Sequence, residues 1–166
     1  MNTNYTNQRD SSTQMNRIAY ASDLIEDATG LLLVSLSDLE PQHYAIVRRV
    51  IAQLSLYREA VMLCEGPEAW GASISEHLYC DVEAMLGHDV SMMRSTDLMD
   101  EYVSCRLDSS ISVLQRVAGH YLEGEYPGMV NTGCAVFEAC HWVIAALNAV
   151  RIETESRLKP SLSIAA

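Results

Sequence analysis

The sequence has little of what most common chemistries require. In 166 residues there is one phenylalanine (Phe137), one lysine (Lys159) and four prolines. Acidic residues outnumber basic ones 22 to 11, for a formal charge of −11, and Arg48–Arg49 is the only adjacent basic pair. Phosphate backbones and anionic lipid are held by clustered cations, so this balance excludes nucleic acid and membrane surfaces as direct partners. No unbroken apolar run approaches the roughly 20 residues of a membrane span. The opening MNTNYTNQRDSSTQ lacks the apolar core of a signal peptide. Cys64, Cys80, Cys105, Cys134 and Cys140 are odd in number and form no C-x-x-C, which points to buried thiols in a reducing cytoplasm. Phosphate-binding glycine motifs, the G-x-S-x-G nucleophile turn and H-E-x-x-H are all missing.

What the chain does have is helix-forming sequence. Leu, Ala, Met, Glu and Arg are favoured in helices because they lose little rotamer freedom there. No segment alternates β-branched residues with period two, so no sheet is expected. Apolar spacing predicts about five helices, near 14–36, 41–64, 67–86, 96–122 and 129–158. The first carries Ile18, Ala21, Leu24, Ile25, Ala28 and Leu32. Pro41 suits the first turn of the second, where its missing N–H costs nothing. The third carries Trp70, Ile74, Leu78, Val82 and Met85, and the fourth Leu98, Tyr102, Cys105, Ile111, Leu114, Ala118 and Tyr121. Residues 1–13, rich in Asn, Thr, Ser and Gln, read as a disordered arm. Residues 14–158 then form a single helical domain, and 159–166 a flexible tail that starts near Pro160.

The phrase VIAQLSLYRE (residues 50–59) returns 93 positions later as VIAALNAVRI (residues 143–152). Each copy follows a helix containing a glycine (Gly30, Gly119) and a turn near a proline (Pro41, Pro127), and each places an arginine (Arg58, Arg151) four residues after its leucine. The fold expected is therefore an all-α bundle of two similar helical hairpins with a bridging helix, since one hairpin alone cannot bury its apolar face.

Chemistry-bearing groups are sparse. Glu40-x-x-His43 and Glu138-x-x-His141 have the spacing with which facing helices hold metal ions. They fall out of phase in the repeat, so Glu40, His43, Glu138 and His141 are kept as a weak alternative, and no metal or cofactor is expected. His77-x-x-Cys80, with Glu76 and His88 nearby, offers too few ligands for zinc. Cys140 and His141 are about 100° apart on a helix and cannot act as a nucleophile–base pair, so the cysteines are expected to be small core residues. The segment from Gly119 to Gly128 packs three glycines, Tyr121, Tyr126 and two acids around a turn, where tyrosines could serve recognition.

These readings favour a non-enzymatic, cytoplasmic protein that binds another protein carrying a basic surface, as an adaptor, inhibitor or anti-activator. Candidate contact residues are Asp97, Asp100, Glu101, Asp108, Tyr121 and Tyr126. Met62, Met85, Met92, Met93 and Met99 could supply an adaptable surface. The alternatives are a metal- or small-ligand-binding bundle and a homo-oligomeric, for instance homodimeric, structural subunit.

Overall fold

The computed structural model describes residues 4–64, 80, 83–84, 94–124 and 128–164. Among them the chain is all helix, with no strand. Helix α1 is Asn4–Ser35, followed by a 3-10 turn at Leu36–Asp38, and α2 is Pro41–Leu63. Helix α3 opens with an α-helical turn, Ser95–Asp97, continues as π-helix through Leu98–Ser104, and becomes α-helix again over Cys105–Glu123. Helix α4 is Val130–Ile164. Four helices are thus described where five were expected. The expected third, 67–86, lies outside the described residues except for Cys80, Glu83 and Ala84, which are helical.

The long helices reach past their expected ends. Helix α1 extends back to Asn4, through the polar stretch read as a disordered arm, and α4 continues through Pro160 to Ile164. Apolar spacing registers only the part of a helix that meets a core. Propagation adds a hydrogen bond for each residue fixed and needs no such face. Pro41 occupies the first turn of α2, as expected.

Around the core α1 neighbours α2, α2 neighbours α3, α3 neighbours α4, and α4 closes the ring on α1. The α1–α4 and α3–α4 contacts are the most extensive. On α1 the buried face is Ile18, Ala21, Ile25, Ala28 and Leu32, with Leu24 packed at its edge. On α2 it includes Val47, Val50, Ile51, Leu54, Tyr57 and Val61. On α4 it includes Val136, Ala139, Cys140, Val143, Leu147 and Val150. Residues Val130–Lys159 of α4 are, by length and composition alone, apolar enough to cross a membrane, and half of their most apolar 18 residues are buried inside the bundle.

Helix α3 departs from the expected register. Met99, Val103 and Leu107 are buried, Tyr102 is only partly so, and Cys105 is exposed. The π-helical i→i+5 spacing holds one more residue per turn than the α-helix, so an α-periodic count drawn across residues 98–104 marks the wrong face. From Leu107 onward the α period resumes, and Ile111, Leu114, Ala118 and Tyr121 face inward as expected. The expectation that all cysteines are core residues also fails in part. Cys64 and Cys140 are buried, whereas Cys80, Cys105 and Cys134 are exposed. Met99, expected at an adaptable surface, is fully buried; Met62 is half-buried, and Met85, Met92 and Met93 lie outside the described residues.

One end of the ring is fastened by a buried carboxylate. Glu153 on α4 accepts a hydrogen bond from Arg157 Nε at 3.0 Å and lies 3.7 Å from Arg17 of α1. The Arg157 Nη1 group in turn donates to the carbonyl of Cys64, just past α2, at 2.9 Å. One ion-pair network therefore ties three helices together.

Two outcomes follow for stability. Leu54→Ala and Leu147→Ala, at sites 0% and 3% exposed, should each lower unfolding free energy by roughly 2–5 kcal/mol in denaturant titration. Arg157→Ala leaves the Glu153 carboxylate buried with its closest cation removed, and should cost about 3 kcal/mol.

Candidate functional site

The opposite end of the bundle gathers polar side chains from two helices. Glu40 is the N-cap residue of α2, in extended backbone (ψ 150°) just before Pro41. Its side chain makes no capping bond, and its backbone N–H donates instead to the Tyr121 hydroxyl of α3 at 2.9 Å. That hydroxyl also lies 2.8 Å from His43 Nδ1, one turn into α2. That bond is made either by the phenol proton donated to Nδ1 or by an Nδ1–H donated to the phenol oxygen, according to the histidine tautomer. The ring of His120 sits beside Tyr121 on α3, its centroid 4.5 Å from that of His43, and its Nε2 is 3.4 Å from Glu40 Oε2. The same carboxylate oxygen is 3.8 Å from His43 Nδ1.

Local sequence accounts for this assembly. Glu40 and His43 lie three residues apart across the start of α2 and so share one side of it. His120 and Tyr121 are adjacent on α3, and at about 100° per residue one can reach outward to α2 while the other points into the core. Tyr121 is fully buried, and Gly133 of α4 makes room for it. A Cβ on Gly133 would meet the Cβ of Tyr121 at 2.9 Å and Leu122 Cγ at 3.1 Å. The close approach of α3 and α4 here requires a residue without a side chain.

Burial, more than any other cause, holds His43 below the ordinary imidazole pKa; the neighbouring His120 acts in the same direction and Glu40 opposes them. Glu40, His43 and His120 are all half-buried, and their donor atoms lie within 4.8 Å of one another. The three could therefore hold a cation between α2 and α3. Two surface depressions reach the cluster: His43, Ile46, Val113, Arg116 and Val117 border one, and His120, Arg116, Gly119 and Glu123 line part of the other.

The structure redistributes the expected residues. Glu40 and His43 are together, but His120 joins them, and Glu138 and His141 do not. The latter two are exposed on α4, where His141 packs edge-on against Phe137 with centroids 4.6 Å apart. The i, i+3 pattern finds ligands that share a helix; it cannot find one contributed by another helix, and a lone histidine leaves no other trace. Tyr121 is a core residue rather than a recognition residue, because its hydroxyl is the acceptor for the start of α2. Tyr126 lies outside the described residues. Among the acidic candidates, Asp100, Glu101 and Asp108 are exposed. Asp97 instead receives two hydrogen bonds from Arg94, at 2.9 and 3.0 Å, and Arg94 holds its carboxyl below the usual range. Burial pushes the Cys140 thiol up to about 11, so it offers no thiolate near neutral pH.

Compared with protein-family models, curated proteins and solved structures, the chain matches none of them.

Tyr121→Phe removes the acceptor for the Glu40 N–H and should cost about 1–3 kcal/mol. A depressed histidine pKa means that the unfolded chain binds its proton first as pH falls. The His43 contribution to stability should thus be complete above the unfolded value near 6.5 and decline as pH drops from there toward the lowered folded value. Thermal unfolding followed from about pH 7.5 to about pH 5 should show this decline in the parent and a smaller one in His43→Gln.

Proposed function

We propose that the protein works by binding another protein through an acidic surface. The observation that supports this most directly is the placement of Asp100, Glu101 and Asp108, all solvent-facing on α3 in a chain of formal charge −11. The nearest cation to Asp108, Arg151, is 4.0 Å away and itself exposed, and pairs of that kind neutralise little. Carboxylates left facing water in this way cost nothing to desolvate in the free protein, and they attract a basic partner at long range. This reading places the protein in the cytoplasm and makes no use of nucleic acid or membrane. The buried Tyr121 is no longer part of the contact surface.

We also infer that the bundle is a duplicated hairpin, with the segment between α2 and α3 as bridge. Two registers support this. At a shift of 93 residues the buried positions Val47, Val50, Leu54 and Tyr57 of α2 fall on the buried positions Cys140, Val143, Leu147 and Val150 of α4. At a shift of 89 residues Ile18, Ala21, Ile25 and Leu32 of α1 fall on Leu107, Ser110, Leu114 and Tyr121 of α3, also buried, and Gly30 falls on Gly119. The repeated arginine has the same office in each half: Arg58 bonds Glu26 of α1 at 2.6 Å, and Arg151 approaches Asp108 of α3.

The interaction reading is tested with the charge-neutral triple variant Asp100→Asn, Glu101→Gln, Asp108→Asn. Exposed substitutions of this kind should change stability by only about 0.5 kcal/mol each. A partner captured by the parent should associate about 10-fold or more slowly with the variant at low salt, and the difference should shrink as salt is raised past about 0.1 M, where the Debye length is about 10 Å. Equal association rates for parent and variant at low salt would exclude this face.

A further inference from the structure

From the convergence of Glu40, His43 and His120 we propose a divalent transition-metal site, with zinc the ion best matched to its donors, bridging the first turn of α2 and the last turn of α3. The proposal is independent of the interaction reading. Its donors are a carboxylate oxygen and one imidazole nitrogen from each histidine, the set that borderline ions such as zinc prefer. A tetrahedral zinc with bonds of about 2.0–2.1 Å holds its ligand atoms about 3.3 Å apart. Glu40 Oε2 already stands 3.4 Å from His120 Nε2. Side-chain rotations without backbone movement would close the remaining gap, because all three donor atoms lie within 4.8 Å of one another.

The surroundings fit such a site. Two imidazoles with centroids 4.5 Å apart and one carboxylate, whose Oε2 also accepts a hydrogen bond from Gln42 Nε2 at 3.0 Å, form a group that a divalent cation would draw together, whereas two added protons would repel. The cluster is half-buried, so the ion would be partly desolvated yet reachable along the depression lined by His43, Ile46 and Val113. The Tyr121 hydroxyl, at 2.8 Å from His43 Nδ1 and anchored by the Glu40 N–H, can accept the Nδ1 proton and so leave Nε2 as the nitrogen His43 would offer the ion, as groups behind a metal ligand do. Three protein ligands leave a fourth position for water or an external ligand.

The test uses the full-length chain, freed of metal by chelation, and zinc ion alone as the probe. Titration against a chromogenic chelator should give one zinc per chain for the parent. Affinity should fall by more than about 10-fold in each of Glu40→Gln, His43→Ala and His120→Ala, and stay unchanged in His141→Ala, whose histidine is on the outer side of α4. Should a variant fail to fold, the parent alone is decisive. Zinc should protect His43 and His120, and not His141, from acylation by diethyl pyrocarbonate, mapped by mass spectrometry. Absence of zinc binding by the parent, binding that survives all three substitutions, or protection confined to other histidines would each overturn the assignment.

Discussion

The bundle depends on what α4 does with its apolar length. It has the longest apolar stretch of the chain, and it makes the two most extensive helix–helix contacts, with α1 on one flank and α3 on the other. Its buried side chains remove apolar area from water at about 25 cal/mol per Å². Helix α2 completes the ring and owes its orientation to that pair. Its start is tied to Tyr121 of α3, and the residue after its end is tied to Arg157 of α4. Both polar fastenings sit where the apolar contacts run out.

Those fastenings have different characters. At the Glu153 end a buried carboxylate meets two arginines, a pair of charges whose attraction offsets the cost of leaving water. At the Glu40 end a phenol, two imidazoles and a carboxylate meet, half-exposed, with no fixed cation in the cluster itself. In the first, Glu153 Oε2 is buried without a hydrogen-bond partner among the described residues and has Arg17, 3.7 Å away, as its neighbouring cation. The second brings a carboxylate and two imidazoles together, and that chemistry is what makes it the better candidate for work other than holding helices together.

The sequence was most legible where one physical rule governed a whole segment. Apolar spacing found α1, α2 and α4, and of Leu24, Ile25, Val50, Ile51, Leu54, Val143, Ile144 and Leu147, expected in the core, all are buried except Leu24 and Ile144, which pack partly buried against it. It failed along Leu98–Ser104, where the backbone winds as a π-helix and the period itself changes. Composition could not supply the outer limits of α1 and α4, because helix propagation needs no apolar pattern. Half of the candidate site was legible, since Glu40 and His43 share a helix face. The other half was not: His120 is 77 residues from His43 in sequence, and only the packing of α2 on α3 brings them together. Tyr121 was read both on the apolar stripe of α3 and in the glycine-rich turn that follows; the stripe prevails, since α3 extends through it to Glu123.

The π-helical turn at Leu98–Ser104 also bears on how the chain could change its length. A helix that already holds an extra residue per turn can lose one there by relaxing to ordinary α geometry, without moving anything from Leu107 onward. What would change is the azimuth of the residues before it, Arg94 and Asp97 among them, which would swing by about a quarter-turn around the helix axis. The segment thus acts as a phase adjuster between the α3 core face and whatever the preceding chain presents. A single-codon deletion there would re-aim that surface, and it would also turn the buried Leu98, Met99 and Val103 within the segment.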